Sequence, residues 1–145
     1  MNELSEAPIS AGQKMRIIVI LHKDLPTWKK INVTSFLISG IATQEGATGE
    51  PYTDASGNHY NGMITDPVMA YAVTDEELRA TYNKAMSRSI SLSVFTEDIF
   101  NTFNDIDNRA VVSDKNAEDL PLVGIAFREK KNSADKIVKS LTLLS

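Results

Sequence analysis

The chain contains no cysteine, which removes disulfides, thiolate zinc sites and cysteine nucleophiles and fits a reducing compartment. Its only histidines are His22 and His59. Neither stands in a G-x-S-x-G nucleophile elbow, so no serine triad is expected, and two histidines cannot build a histidine metal centre. The glycine loops that cradle phosphates are missing as well: neither G-x-x-x-x-G-K-[ST] nor G-x-G-x-x-G occurs. No apolar run approaches the ~20 residues of a membrane-spanning helix. The opening MNELSEAPISAGQK is acidic and polar, without the basic start and apolar stretch of a secretory signal. These absences give an expectation of a cytoplasmic protein with no membrane partner, no metal and no cofactor, its residues 1–14 forming a disordered tail.

Positive charge is also short. Fifteen lysines and arginines face nineteen acids, a net −4, whereas nucleic-acid binders carry a basic face that releases counterions. Nucleic acid is therefore disfavoured as a partner. A local patch would have to come from Lys23, Lys29 and Lys30 or from Arg128, Lys130 and Lys131, which read more simply as solvated lysines and arginines.

What is present suits a single domain over residues 15–145, large enough to bury a core without staples. MRIIVIL (15–21) is a continuous β-branched run, the mark of a strand buried on both faces near the middle of a sheet. A helix follows from about Thr27 to Thr43. Its later part is apolar almost all round, and Val33, Phe36, Leu37, Ile38 and Ile41 cannot share one face. A second surface, the following loop or a twin subunit, is expected to cover the remainder. VMAYAV (68–73) reads as a second strand, and Thr74 with Glu77 forms a capping box for a helix whose stripe is Leu78, Tyr82, Ala85 and Met86. ISLSVF (90–95) is a third strand, Thr96 caps a short helix beginning Glu97-Asp98, and PLVGIAF (121–127) is a fourth strand. SADKIVKSLTLL closes the chain as a helix. Alternating strands and helices imply crossover connections and a three-layer α/β/α sandwich.

The connection between the first helix and the second strand is far longer than the usual ~4–6 residues, so it needs structure of its own. Within it, GEPYTDASGNHY (49–60) predicts a hairpin: DASG makes a type I turn with Gly57 left-handed. Asp54 then pairs with Asn58, and Tyr52 lies opposite Tyr60. The acidic NDIDNR (104–109) resembles part of a calcium loop but lacks its glycine and distal glutamate. Turn or cap roles are expected for Asp105 and Asp107.

Ligands of open α/β sheets sit beyond the carboxyl ends of the strands. Lys29 and Lys30 occupy the first turn of their helix, where the dipole disfavours cations and a helix built for stability alone would place acids. A pocket at the end of strand one is expected, walled by the first helix, the hairpin and DIDNR. In it Lys30 and Arg109 would anchor an anionic or carbonyl group and Asp54 would accept a proton, these three being the candidate catalytic residues. Asp24, Lys29, Asn32, Thr34, Tyr52, His59 and Asn108 are the candidate substrate-binding residues.

KDLPTWKKINVTSFLISGI, GEPYTDASGNHY and DIDNRA together resemble a bacterial family catalogued as a domain of unknown function, DUF2000, over nearly all of Met15 to Leu144. That resemblance implies a fold similar to type II peptidyl-tRNA hydrolases, a mixed four-stranded sheet between helices, with the hairpin as an insertion. Asp24 and Leu25 match the hydrolase pattern, and either Lys29 or Lys30 stands for its lysine. The glutamine, cysteine and histidine that should continue the helix are replaced by INVTSFLIS, and the Asp-Ala-Gly turn by TEDIFNTFNDIDNR. Three functions stay open: binding or hydrolysis of a small polar or anionic ligand, peptidyl-tRNA hydrolysis or RNA binding, and a non-enzymatic homodimeric assembly module.

Overall fold

The computed structural model describes residues 14–145; the tail expected over residues 1–14 lies outside them but for its last residue. Among the described residues six strands and four α-helices follow in the order β1 (Met15–His22), α1 (Thr27–Ile41), β2 (Tyr52–Thr53), β3 (His59–Tyr60), β4 (Val68–Val73), α2 (Asp75–Ser87), β5 (Ser93–Thr96), α3 (Asp105–Ser113), β6 (Leu122–Lys130) and α4 (Lys131–Val138). Four of the strands form a mixed sheet in the order β4-β1-β6-β5. β1 runs parallel to β4 and antiparallel to β6. Its residues Ile17 to Leu21 are all buried, as the unbroken β-branched run requires of a central strand covered on both faces.

Alternation along β1 divides the core. Ile17, Val19 and Leu21 meet Val33, Leu37 and Ile41 of α1 on one face. Ile18 and Ile20 meet Leu78, Tyr82 and Ala85 of α2 and Ala134, Ile137 and Val138 of α4 on the other. Helices therefore lie on both faces of the mixed sheet. α1 approaches the sheet closely because Gly124 of β6 has no side chain: a Cβ there would stand 2.7 Å from Val33 Cγ1. Where β5 meets β6 the register shifts from Phe95 opposite Gly124 to Thr96 opposite Leu122, skipping Val123. This bulge lies at the start of β6 and leaves Val123 without a partner on β5.

Several expectations are corrected. The α2 capping box forms in full, but Met86 is exposed. Thr81 is buried in the stripe, its hydroxyl donating to the Glu77 carbonyl at 2.7 Å. Thr96 does not cap with its side chain: Glu97–Asn101 is a single 3₁₀ turn, and Thr96 Oγ1 is buried without a partner among the described residues. The last helix stops at Val138. The chain then returns along the β4 edge, where Leu143 bridges to Tyr71 and the Ala72 amide donates to the Thr142 carbonyl. That segment satisfies edge amides that would otherwise face water unpaired.

The long connection has its own structure, as expected. Asp54 N–H donates to the Asn58 carbonyl, Gly57 is left-handed at φ +89°, and Tyr52 pairs with Tyr60. The base is clamped to the sheet by Arg128, whose Nε donates to Asp66 at 2.6 Å. The tip, however, is exposed at every residue from 50 to 61. It roofs no crevice.

Candidate functional site

The chain turns sharply at the end of β1, and Pro26 starts α1 without a side-chain cap. The parallel strand β4 ends beside it, at His22 opposite Val73, and α2 starts two residues later. Between these ends and the bulged start of β6 lies a cleft of about 680 Å³, of the size that holds a small ligand. Leu25, Leu78, Leu120 and Val123 supply its apolar floor, and His22, Asp24, Lys29, Asp75, Arg79 and Glu97 its polar walls.

His22 and Asp75 are joined across the cleft. His22 Nδ1 accepts the Asp24 amide at 3.1 Å, so the ring proton belongs on Nε2. Nε2 then donates to Asp75 Oδ1 at 2.9 Å. Both ring nitrogens are thereby occupied, and the imidazole holds the carboxylate in place rather than serving as a free base. Asp75 leaves most of its side chain, 82%, open to the cleft and solvent.

Lys29 is the opposite pole. Its side chain is only 26% exposed, and its Nζ lies 3.8 Å from Glu97 Oε2, beyond hydrogen-bond length. The ammonium rests instead over the Phe100 ring at 4.2 Å and near Trp28 at 5.6 Å. It is thus partly desolvated and loosely paired, and an incoming carboxylate or carbonyl oxygen would find its donors available. Arg79 is committed to the wall: it donates to the carbonyls of Ala117 and Leu120 and stacks on Tyr82.

Of the residues singled out from the sequence, the structure brings Asp24 and Lys29 into this cleft. Lys30 and Thr34 lie elsewhere on α1, in a shallow hollow with Ala70 and Leu144. Lys30 is one residue and about 100° around the helix from Lys29, so the two cannot serve one site. Asn32 and Asn108 share another hollow, on the α3 side of α1. Arg109 is tied to Asp105 one turn away on α3, on the rim of a groove with Phe36, Val94 and Val112.

Asp54 serves its own turn. It accepts from the Ser56 and Asn58 amides, the Asn58 side chain and the Tyr60 hydroxyl. These bonds, the Asn58 side chain first, lower its pKa to about 2, and the same contact raises that of Tyr60. His59 bonds Thr53 on the other face, and Tyr52 is exposed. Lys30, Asp54 and Arg109 do not converge. The groups missed were His22, Asp75 and Glu97. Their sequence signal was position: each lies at, or within two residues of, the carboxyl end of a strand.

No metal-holding group of three or more His, Asp and Glu residues occurs among the described residues. No described helix is long and apolar enough to cross a membrane.

A four-stranded mixed sheet with helices on both faces defines an α/β domain, and its cleft lies at the carboxyl ends of the parallel strands, where ligands of open α/β sheets sit. The family described as a protein of unknown function, DUF2000, matches residues 15–145. The chain belongs to that family. It is similar to a solved structure of a protein of unknown function from Agrobacterium tumefaciens, with 39% identity, a TM-score of 0.85, and coverage of 91% of this chain and 98% of that one. No curated protein matches it.

Proposed function

We propose that the protein binds, and in its enzymatic form hydrolyses, a small polar ligand carrying a carbonyl or carboxylate, in the cleft between the ends of β1 and β4. One observation carries this reading: the cleft sets a carboxylate fixed by His22 within the same walls as a loosely paired ammonium. Lys29 takes the ligand oxygen that bears or develops negative charge. Asp75 accepts a hydrogen bond or proton from the ligand or from an attacking water through the oxygen that His22 leaves free. The leucines of the floor receive an apolar substituent. A thermal-shift screen of metabolites against wild type, Lys29→Met and Asp75→Asn tests it. A ligand that stabilises wild type but neither variant supports the reading, and indifference of all three proteins to every ligand overturns it.

Peptidyl-tRNA hydrolysis is the second reading, with the hydrolase-like fold that the family resemblance implies. It is favoured by Asp24 and Leu25, which match the hydrolase pattern, and by Lys29, one of the two lysines that can stand for its lysine, all of which line this cleft. Against it, Lys23 pairs with Asp24, and Asp24, Asp75 and Glu97 stand in the same walls as Lys29, an acidic surround that repels a phosphate backbone. Turnover of peptidyl-tRNA at low salt decides it: absence of both turnover and salt-dependent binding removes the reading.

A further inference from the structure

Beside the cleft, on the far side of Trp28 and Phe100, α1 and the segment leading into α3 enclose a second hollow of about 440 Å³. Its composition differs from that of the cleft. The α1 stripe at positions 28, 32 and 36 contributes Trp28, Asn32 and Phe36, and Phe95, Phe100 and Phe103 complete an aromatic lining. Phe95 and Phe100 belong to the core cluster of that sheet face, but the core does not account for the other three: Trp28 is 62% exposed, Phe36 51% and Phe103 96%. They meet edge to face, Trp28 on Phe100 at 6.3 Å and Phe36 on Phe95 at 5.8 Å. Lys29 covers one face of Phe100, and the exposure of Trp28 and Phe103 leaves those two rings reachable for stacking.

Amides sit among the rings. Asn104 is used as the α3 cap, accepting from the Asp107 amide. Asn108 touches the Thr102 hydroxyl, whose proton goes to the Ile99 carbonyl, so one end of its amide is engaged and the other faces the hollow. Asn32 is half-buried, and its amide meets no partner among the described residues. A planar heterocycle would use both kinds of group, because an Asn amide matches the donor and acceptor edge of a base in two bonds while an aromatic ring stacks on its face. The only charged group in the lining is Asp105, already paired with Arg109. We infer that this aromatic and amide hollow binds a neutral planar heterocycle of the nucleoside class, held by stacking on Trp28 and by bonds to Asn32 and Asn108.

The site carries its own reporter, since Trp28 is the only tryptophan in the chain. Its emission is followed as adenosine, guanosine, cytidine and uridine are added, each beside its monophosphate. The expected result is saturable quenching by at least one nucleoside with a Kd below about 1 mM. Asn32→Ala and Phe103→Ala should each weaken that binding tenfold or more without lowering the melting temperature, since neither side chain supports the core. Three results would overturn the inference: no saturable change with any nucleoside, tighter binding of the monophosphate, or a concentration-dependent blue shift of Trp28 with a dimer in sedimentation. The last would make the hollow an interface between two copies of the chain. None of these outcomes bears on the cleft at Lys29 and Asp75, whose screen is read by separate variants.

Discussion

Replacing Gly124 by alanine should lower stability through α1 alone. The added Cβ would stand 2.7 Å from Val33 Cγ1, 3.2 Å from Leu37 Cδ1 and 3.3 Å from Leu21 Cδ2, where ordinary contact begins at 3.4 Å. Val33 is fully buried and β-branched, so its χ1 is nearly fixed in a helix and Cγ1 cannot swing away. Relief requires α1 to lift by several tenths of an ångström. Overpacking of this kind costs about 1–3 kcal/mol, and the reduced freedom of the unfolded chain returns roughly 0.4–1 kcal/mol. The net is a loss of about 1–2 kcal/mol, or about 3–8 °C in Tm for a domain of this size. Urea unfolding followed by circular dichroism measures it, with the denaturant slope unchanged. The second substitution Val33→Ala removes the clashing methyl, so the double variant should be less destabilised than the sum of the two singles. Gly124→Ala melting at or above wild type, or strict additivity with Val33→Ala, would refute the close packing of α1 on β6.

Lys29→Met should abolish binding of whatever ligand the cleft selects, while Lys30→Met leaves it within about twofold; calorimetry on the screened ligand compares them. Removing Arg128 leaves Asp66 a largely covered carboxylate without its partner. Arg128→Ala should therefore cost about 3 kcal/mol, the lower end of the range for broken buried pairs, measured by urea unfolding. Asp54 should titrate in the folded protein at about 2 against 3.8 when free. Because its folded value is depressed, the stabilisation of the turn is complete above the free value and is lost as pH falls from about 4 through 2. Carboxyl-carbon NMR reads this directly, and Asn58→Ala should move the midpoint upward by removing the largest contributor.

How much of this was legible in the residues depends on the kind of signal. Strand β1 and the α2 cap were readable because local rules decide them: a β-branched run needs two covered faces, and Thr74 with Glu77 satisfies orphan amides wherever the helix lies. The hairpin register was readable for the same reason, since Gly57 must turn left-handed and that sets Tyr52 against Tyr60. What the rules could not supply was the direction of the tip. Asp54 looked available for chemistry in a polar loop, yet its oxygens close the turn itself, and a self-satisfied hairpin needs no cleft to rest on. The C-terminal strand-like return was hidden too, because pairing with the β4 edge is a tertiary gain that periodicity does not record.

The choice between Lys29 and Lys30 was, by contrast, open to a sharper reading of α1. Val33, Leu37 and Ile41 recur every four residues and form the buried stripe, and stepping back one more turn reaches Lys29, not Lys30. A lysine at the head of a buried stripe must leave the core where the helix begins, and here the helix begins at the ends of β1 and β4. Its neighbours by the same spacing, Trp28, Asn32 and Phe36, turn toward β5 and α3, while Lys30 and Thr34 turn toward β4. One helix therefore presents a core face, the cationic pole of the cleft and the aromatic wall of the hollow. The apolar excess of α1 divides into a face the sheet buries, a face that lines the second hollow, and Ile31, which stays 63% exposed beside Lys30 and Thr34.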